Sequence, residues 1–415
     1  MRFGTWVFEC VILSHAKYSL SFTGVVLKNY FYSNNNQILH SCFLFAGKEK
    51  DLFVMNAIYD NLLIIYYSGT GNSKRVSEWI VQEAESQGMK TLISSYHQFN
   101  PEAIKDFTGR TLIGFFSATH GFNMPHSMLK FLFRFSILRG SDIFIGNTRA
   151  GMKLSKLFLP GLSGIAMYFP AMIMFLKSYN VKALYPVDLP SNWISLHPGI
   201  RRKVVDSMVE HYEILTKRFA TKVLSGKRVF IKSFVLLPLD IVVAPIALGY
   251  YFVGRFIIAK TFIANNNCNN CGLCIEQCPT QSIILKDNRP YWKFTCESCM
   301  KCMNYCPQRA IETAHSMVFV LLFALIAIVN PYLSAKVTDL VALLLHGSKI
   351  AFESFYFVVQ WSVALLFFFA GYKLLHYLMG FPRINKIITY TTLTTWKFWR
   401  RYKIPTNVSA HPKGV

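Results

Sequence analysis

The stretch from Asn61 to Gly88 reads NLLIIYYSGTGNSKRVSEWIVQEAESQG. Its apolar run, Leu62 to Tyr67, predicts a buried strand, and the residues after Ser73 predict an amphipathic helix. Between them lies a loop of small residues, Ser68-Gly69-Thr70-Gly71-Asn72-Ser73. Such a loop offers backbone N–H groups, hydroxyls and a helix N-terminus to a phosphate. It lacks the lysine of G-x-x-x-x-G-K-[ST] and the third glycine of G-x-G-x-x-G, which argues against nucleoside triphosphates and dinucleotides.

Three further apolar strands follow, each running into a polar or glycine-bearing turn. Thr111 to Phe116 leads to Ser117-Ala118-Thr119-His120-Gly121-Phe122-Asn123-Met124-Pro125. A strand around Ile143 to Ile145 is expected to end in Gly146-Asn147-Thr148-Arg149-Ala150-Gly151, and one from Ala183 to Val187 in Leu189-Pro190-Ser191-Asn192-Trp193. In doubly wound α/β sheets the ligand sits beyond the carboxyl ends of the strands, where such turns gather. Taken singly, each is an ordinary strand-to-helix turn.

In this order the turns resemble those of the flavodoxins. The resemblance implies an FMN site, with Ser68, Thr70, Gly71, Asn72 and Ser73 at the phosphate and Thr119, His120, Gly121, Phe122, Asn192 and Trp193 toward the flavin. Phe122 or His120 is expected against the isoalloxazine ring and Trp193 as a further wall, while His120 as a capping residue without cofactor contact stays open.

Eight of the ten cysteines repeat one spacing: Cys268, Cys271, Cys274 and Cys278-Pro279 in CNNCGLCIEQCP, then Cys296, Cys299, Cys302 and Cys306-Pro307 in CESCMKCMNYCP. Structural zinc uses two separated cysteine pairs, and cysteines this close in a tight loop make poor disulfides. The spacing fits two [4Fe-4S] clusters. From Asn265 to Glu312 the segment resembles the bacterial two-cluster ferredoxins, with a longer connector between Cys278 and Cys296 than in the smallest members. That resemblance implies crossed ligation: Cys268, Cys271, Cys274 and Cys306 on one cluster, and Cys296, Cys299, Cys302 and Cys278 on the other. The order of the two parts, over about residues 56 to 315, resembles bacterial flavodoxin–ferredoxin fusions and implies electron transfer between clusters and flavin on one chain.

The chain is 53% hydrophobic and 15% aromatic, rich for a soluble protein, and carries a formal charge of +23. Cluster thiolates and FMN phosphate would lower that charge. No nucleic-acid motif accompanies it, so acidic lipid is the expected partner rather than nucleic acid. Ser316 to Leu333 and Phe355 to Met379 read as transmembrane helices. The positive charges that follow them predict a hairpin with both ends cytoplasmic. The apolar stretch from Phe234 to Ile258 contains Pro238, Asp240 and Pro245, and a crossing there would separate the two cofactor parts; it is read as an interfacial or buried connector. The run from Leu157 to Leu176 is read either as a helix packed on the sheet or as a lip dipping into the membrane.

The expected fold is therefore an α/β flavodoxin-like doubly wound parallel sheet, a small α+β two-cluster ferredoxin-like domain and C-terminal transmembrane helices. The expected boundaries are a leader at 1–55, the FMN domain at 56–225, a connector at 226–262, the iron–sulfur domain at 263–314, the hairpin at 315–380 and a basic cytoplasmic tail at 381–415. Met55 is an alternative start, Cys10 and Cys42 are expected not to be ligands, and Asn407-Val408-Ser409 is a glycosylation pattern without meaning in a cytoplasmic tail. The expected function is an oxidoreductase at the cytoplasmic membrane that passes electrons between clusters and FMN, with a redox partner protein or a small acceptor such as a quinone. Two other readings are a non-enzymatic carrier docking on a membrane partner, and a flavodoxin-like platform without flavin. No nucleophile triad, carboxylate pair or further metal site stands out, and His97, His211 and His315 read as surface or packing residues.

Overall fold

Leu62 and Ile64 lie in one hydrophobic cluster and their neighbours Leu63 and Ile65 in another, so the first strand is buried on both faces. The computed structural model describes residues 58–332, 336 and 349–402. The expectations for the leader, Cys10, Cys42, Met55 and Asn407-Val408-Ser409 lie outside them. In the first part of the chain β1 (Asn61–Tyr66), α1 (Asn72–Ser86), β2 (Lys90–Ser95), β3 (Thr111–Ala118), α2 (His126–Arg134) and β4 (Asp142–Leu154) are followed by β5 (Leu157–Leu159), α3 (Tyr168–Leu176), β6 (Asn180–Pro190) and α4 (Arg202–Leu224). The parallel strands stand in the order β2-β1-β3-β4-β6, and β5 turns back antiparallel on the end of β4. Counting only the parallel strands, this is the flavodoxin-like order 2-1-3-4-5, whose switch point lies between the first and third strands.

Helices α1 and α4 cover one face through Val76, Ile80, Phe219 and Val223, and α2 and α3 cover the other through Met128, Leu132, Ile173 and Met174. Each such aliphatic side chain, removed from water, contributes roughly 1.5–3 kcal/mol. Helix α3 thus packs on the sheet, but it also leaves Met172, Phe175 and Leu176 exposed.

Two strands run further than their apolar stretches predict. Strand β4 continues through Gly146–Gly151 to Leu154, paired with β6 up to Pro190. The polar residues that read as a turn are satisfied inside the sheet. Arg149 and Asp188 are register partners, and the guanidinium donates from Nε and Nη2 to the two carboxylate oxygens at 2.6 and 3.2 Å. A two-pronged pair of this kind is fixed in geometry as well as charge. Gly146 lies under the Phe116 ring, where an added Cβ would stand 2.0 Å from a ring carbon.

A series of short helices links the two halves: α5 (Ile231–Phe234), α6 (Leu237–Val242) and α7 (Ala244–Gly249), the last passing through a π turn into α8 (Arg255–Ala259). Buried Asp240 anchors it to the first half by accepting from the backbone N–H groups of Ser163 and Gly164 at 2.8 and 2.7 Å. The ferredoxin-like part consists of β7 (Phe262–Ala264) paired with β10 (Ile311–Thr313), the hairpin β8 (Ile283–Lys286) and β9 (Arg289–Trp292), and the short helices α9 (Leu273–Glu276) and α10 (Lys301–Tyr305).

Helix α11 (His315–Ala324) continues through a second π turn, and α12 spans Lys349–Leu378. His315–Tyr332 and Glu353–Leu378 are long and apolar enough to cross a membrane, with only 6% and 11% of their most apolar windows buried in the protein. The base of α12 is tied to the ferredoxin-like part: Tyr372 accepts from the Trp292 N–H at 3.1 Å, and the Lys260 ammonium lies 4.5 to 5.2 Å from the ring centres of Phe294, Tyr372 and Tyr291.

The chain then returns through α13 (Pro382–Tyr390) and folds back over both halves. Trp399 donates to the Ile194 carbonyl at 2.7 Å, and the Tyr402 backbone N–H donates to Asn304 Oδ1 at 2.8 Å. Arg401 pairs with Glu312 at 2.9 Å, both side chains nearly fully buried. It also donates to the carbonyls of Met303 and Ile311. Burial pushes the Glu312 carboxyl up and the Arg401 guanidinium down, each against the partner's opposing pull. Breaking such a pair is far costlier than replacing both members. Arg401→Ala should therefore lower unfolding stability by about 3–5 kcal/mol, whereas Arg401→Met combined with Glu312→Met should regain most of it, as read by denaturant titration.

Candidate functional site

The β1–α1 loop turns at Gly71, whose φ of 98° places it in the left-handed region that favours glycine. Helix α1 starts there with no side-chain cap and no acidic residue in its first turn, so its positive end faces the loop. Ser68 Oγ accepts from the Gly71 N–H at 3.1 Å, Ser73 and Thr148 share a hydroxyl contact at 3.0 Å, and Asn72 donates to the Pro190 carbonyl at 3.1 Å. Asn192 donates to the Thr70 hydroxyl. The result is a cradle of hydroxyls and backbone donors of the kind that binds a phosphate.

The β3 turn forms the adjoining wall. His120 and Asn123 exchange backbone hydrogen bonds at 2.8 and 3.1 Å, and Phe122 takes a φ of 63°, an uncommon conformation for a bulky residue. His120 lies nearly parallel to Trp193, with ring centres 6.1 Å apart. Ser68, Thr70, Asn72, Ser73, Thr119, His120, Gly121, Phe122, Asn192 and Trp193 line one cleft, with Gly71 behind the loop. The buried Nδ1 of His120 has no partner among the described residues. Hydroxyls, an uncapped helix end, flat rings and an unused buried nitrogen fit the phosphate and ring of a flavin mononucleotide.

Several residues of this region lie outside the expected set of flavin contacts. Arg149 and Leu162 line the cleft from the extended β4 and the loop before α3. Tyr250, from the π turn of the connector, packs on Gly121, where an added Cβ would lie 2.1 Å from its ring. Tyr402, near the end of the described chain, donates to Asn72 Oδ1 at 2.6 Å.

The cysteines carry a repeated backbone. Asn270 and Ser298, Gly272 and Met300, and Gln281 and Arg309 occupy equivalent places in the two runs, and all have positive φ. Each run can thereby coil around a central object. All eight cysteines are free. Cys274 has Cys268, Cys271 and Cys306 as its charged neighbours, and Cys296 has Cys299 and Cys278, with Cys302 beside Cys296 and Cys299. Among the described residues no three side chains converge on a single ion. In a cubane each thiolate binds a different iron, which sets the sulfurs further apart than the ligands of one metal. Burial and mutual repulsion push the Cys274 thiol up to about 11, and burial raises Cys299 to about 11 as well. Thiolates in this setting call for a metal cation among them. Backbone N–H groups of Ser282, Ser298 and Ala310 point at the sulfurs of Cys278, Cys296 and Cys306 at 3.3, 3.5 and 3.3 Å. The donors fit two iron–sulfur clusters, and such N–H···S contacts tune their potential.

The two sites meet. A Cβ on Gly69 would stand 2.6 Å from the Cys299 carbonyl oxygen, 2.7 Å from its Cβ and 3.2 Å from its Sγ. Around that contact Trp193 donates to the Ser298 carbonyl at 2.7 Å, Tyr305 to the Thr70 carbonyl at 3.2 Å and Tyr96 to the Pro279 carbonyl at 3.1 Å. Glu297, buried between Cys296 and Cys299, accepts from the Ser127 N–H at 2.5 Å and from its hydroxyl at 2.9 Å.

Residues 267–311 match the model of the 4Fe-4S dicluster domain. No curated protein matches the chain. Among solved structures, a flavodoxin from the domain Archaea is 20% identical, covering 39% of this chain and 98% of its own, with a TM-score of 0.29. The two-electron reduced flavodoxin of Megasphaera elsdenii is 13% identical over 37% of this chain and 98% of its own, at 0.25. Rubredoxin oxygen:oxidoreductase from Desulfovibrio gigas is 12% identical, covering 45% of this chain and 41% of its own, at 0.28.

Gly69→Ala should drive the loop away from Cys299 and lower both FMN retention and cluster content, measured on one anaerobic sample by released flavin and iron. A second expectation concerns pH. Burial lowers His120 from its ordinary value to about 4. Between about pH 6.5 and 4 the unfolded chain binds the proton and the native one does not, so stability falls as pH falls through that window. Its contribution reaches roughly 3 kcal/mol by pH 4, and His120→Gln should flatten the urea midpoint over the same range.

Proposed function

We propose that the protein is a membrane-bound oxidoreductase in which two [4Fe-4S] clusters and one FMN share a single chain, serving a small or membrane-soluble acceptor. The observation that carries this reading is the contact of Gly69 with Cys299: the phosphate-side loop of a flavin cleft rests on a cluster ligand with no side chain between. When bound, iron–sulfur clusters supply single electrons and flavin accepts one or two, so the combination can gather electrons singly and deliver a pair.

The protein's own residues give the two thiolate sets different surroundings. Cys271 is exposed and its set borders a cavity opening past Leu273, Leu285 and Tyr305, whereas Cys296 is buried and Cys299 lies under Gly69. The first set is the side an external donor can approach, and the second faces the flavin cleft. Trp193 bridges cleft and cysteines, lying 5.6 Å from Tyr250, ring centre to ring centre, and donating to the Ser298 carbonyl.

Membrane attachment is supported by α11 and α12 and by a second apolar surface. Phe234, Val235, Leu239, Ile241, Val242 and Phe252 of the connector are each at least half exposed, as are Phe175 and Leu176 of α3. Phe294 joins this surface to the spanning helices, lying 6.0 Å from Phe256 and 4.7 Å from Phe369, ring centre to ring centre. Exposed apolar area of this kind marks a membrane or partner surface, and it supports an acceptor that reaches the protein from lipid.

Anaerobic purification in detergent should yield about eight irons and one FMN per chain. Cys299→Ser should remove about four irons, leave FMN bound, and abolish flavin bleaching by a reduced viologen. Flavin bleaching at the wild-type rate in that variant would sink the route through this contact.

A further inference from the structure

The returning tail builds a second site whose lining contains no cysteine and shares no residue with the cleft. Arg202, Arg309, Lys397, Arg400 and Arg401 line a hollow of ≈ 340 Å³ with Ile200, Val205 and Tyr402 as its apolar parts, and no acidic residue lines it. Arg401 is held by Glu312, and Arg202 by Asp206 one turn along α4. Arg309, Lys397 and Arg400 form no ion pair among the described residues. The hollow also receives the N-terminus of the 23-residue helix α4, which has no side-chain cap and no acidic residue in its first turn. Three cations without an ion-pair partner converge here with two paired ones and a helix's positive end, no acidic residue lines the hollow, and a bound anion relieves their mutual repulsion.

The surroundings indicate where the anion comes from. Lys397 stands between the exposed aromatic residues Trp396 and Phe398, and α13 exposes Ile387 and Tyr390 just after α12 ends. Tryptophan and tyrosine gather at the membrane–water interface, the depth at which lipid phosphates lie. We infer that this hollow binds the phosphate of an acidic phospholipid headgroup, with Arg309, Lys397 and Arg400 as its ligands. The inference rests on the membrane reading given above. Through Tyr402, which lines the hollow and donates to Asn72, the lipid site adjoins the start of α1 at the flavin cleft.

The test uses the full chain with its cofactors in neutral detergent, titrated with short-chain phosphatidylglycerol, with phosphatidylcholine and with inorganic phosphate, and followed by native mass spectrometry. Phosphatidylglycerol should bind about tenfold or more tightly than phosphatidylcholine. Lys397→Gln with Arg400→Gln should abolish the preference while cluster absorbance stays unchanged, and Lys105→Gln with Lys156→Gln, an equal charge change elsewhere, should retain it. Equal binding of the two lipids, or a preference that survives Lys397→Gln with Arg400→Gln, overturns the site. Displacement of phosphatidylglycerol by equimolar inorganic phosphate overturns the lipid as its source. Flotation with phosphatidylcholine vesicles tests the membrane reading separately: a protein that floats without preferring phosphatidylglycerol loses the lipid site and keeps its membrane attachment.

Discussion

The close approach of Gly69 to Cys299 is the constraint around which the rest is arranged. Any side chain at position 69 would enter the space of the cysteine's backbone and sulfur. The contact joins two loops with opposite needs: one presents donors to an anion, and the other holds buried thiolates. Van der Waals contact between them cannot be sustained by apolar packing alone, because both are polar and short. The surrounding hydrogen bonds from Trp193, Tyr305 and Tyr96 to carbonyls of the opposite part hold the register.

The C-terminal strap has the same task at longer range. Arg401 reaches the ferredoxin-like part through Glu312, Met303 and Ile311, while its neighbour Tyr402 reaches Asn72 beside the phosphate loop. A buried ion pair is weak as a source of net stability but strongly directional. Here its direction fixes where the last residues of the strap lie, and so how the two parts are clamped. The strap follows on α12 and α13, so the chain that leaves the long apolar helix also braces the junction of the two sites.

Much of this was legible in the chain alone. The cysteine spacing marked the iron–sulfur segment because cluster ligation demands it, and the uninterrupted apolar run of β1 marked a strand buried on both faces. The phosphate loop and the turns at Thr119 and Asn192 gathered into one cleft as the doubly wound order requires. Strand β2 was silent because its residues are mostly half-exposed and alternate little, and the far ends of β4 and β6 read as turns because their polar residues find partners only across the sheet.

The sequence by itself therefore determined the iron–sulfur segment, the class of sheet and the apolar lengths of α11 and α12, since each depends on spacing or composition along the chain. Tertiary structure alone decided what stands opposite what: Gly69 on Cys299, Tyr250 on Gly121, Tyr402 on Asn72, and the basic hollow between α4 and the tail. Those pairings join residues up to 330 positions apart. Local propensity carries no signal for them, because they arise only when packed elements bring distant surfaces within a few ångströms.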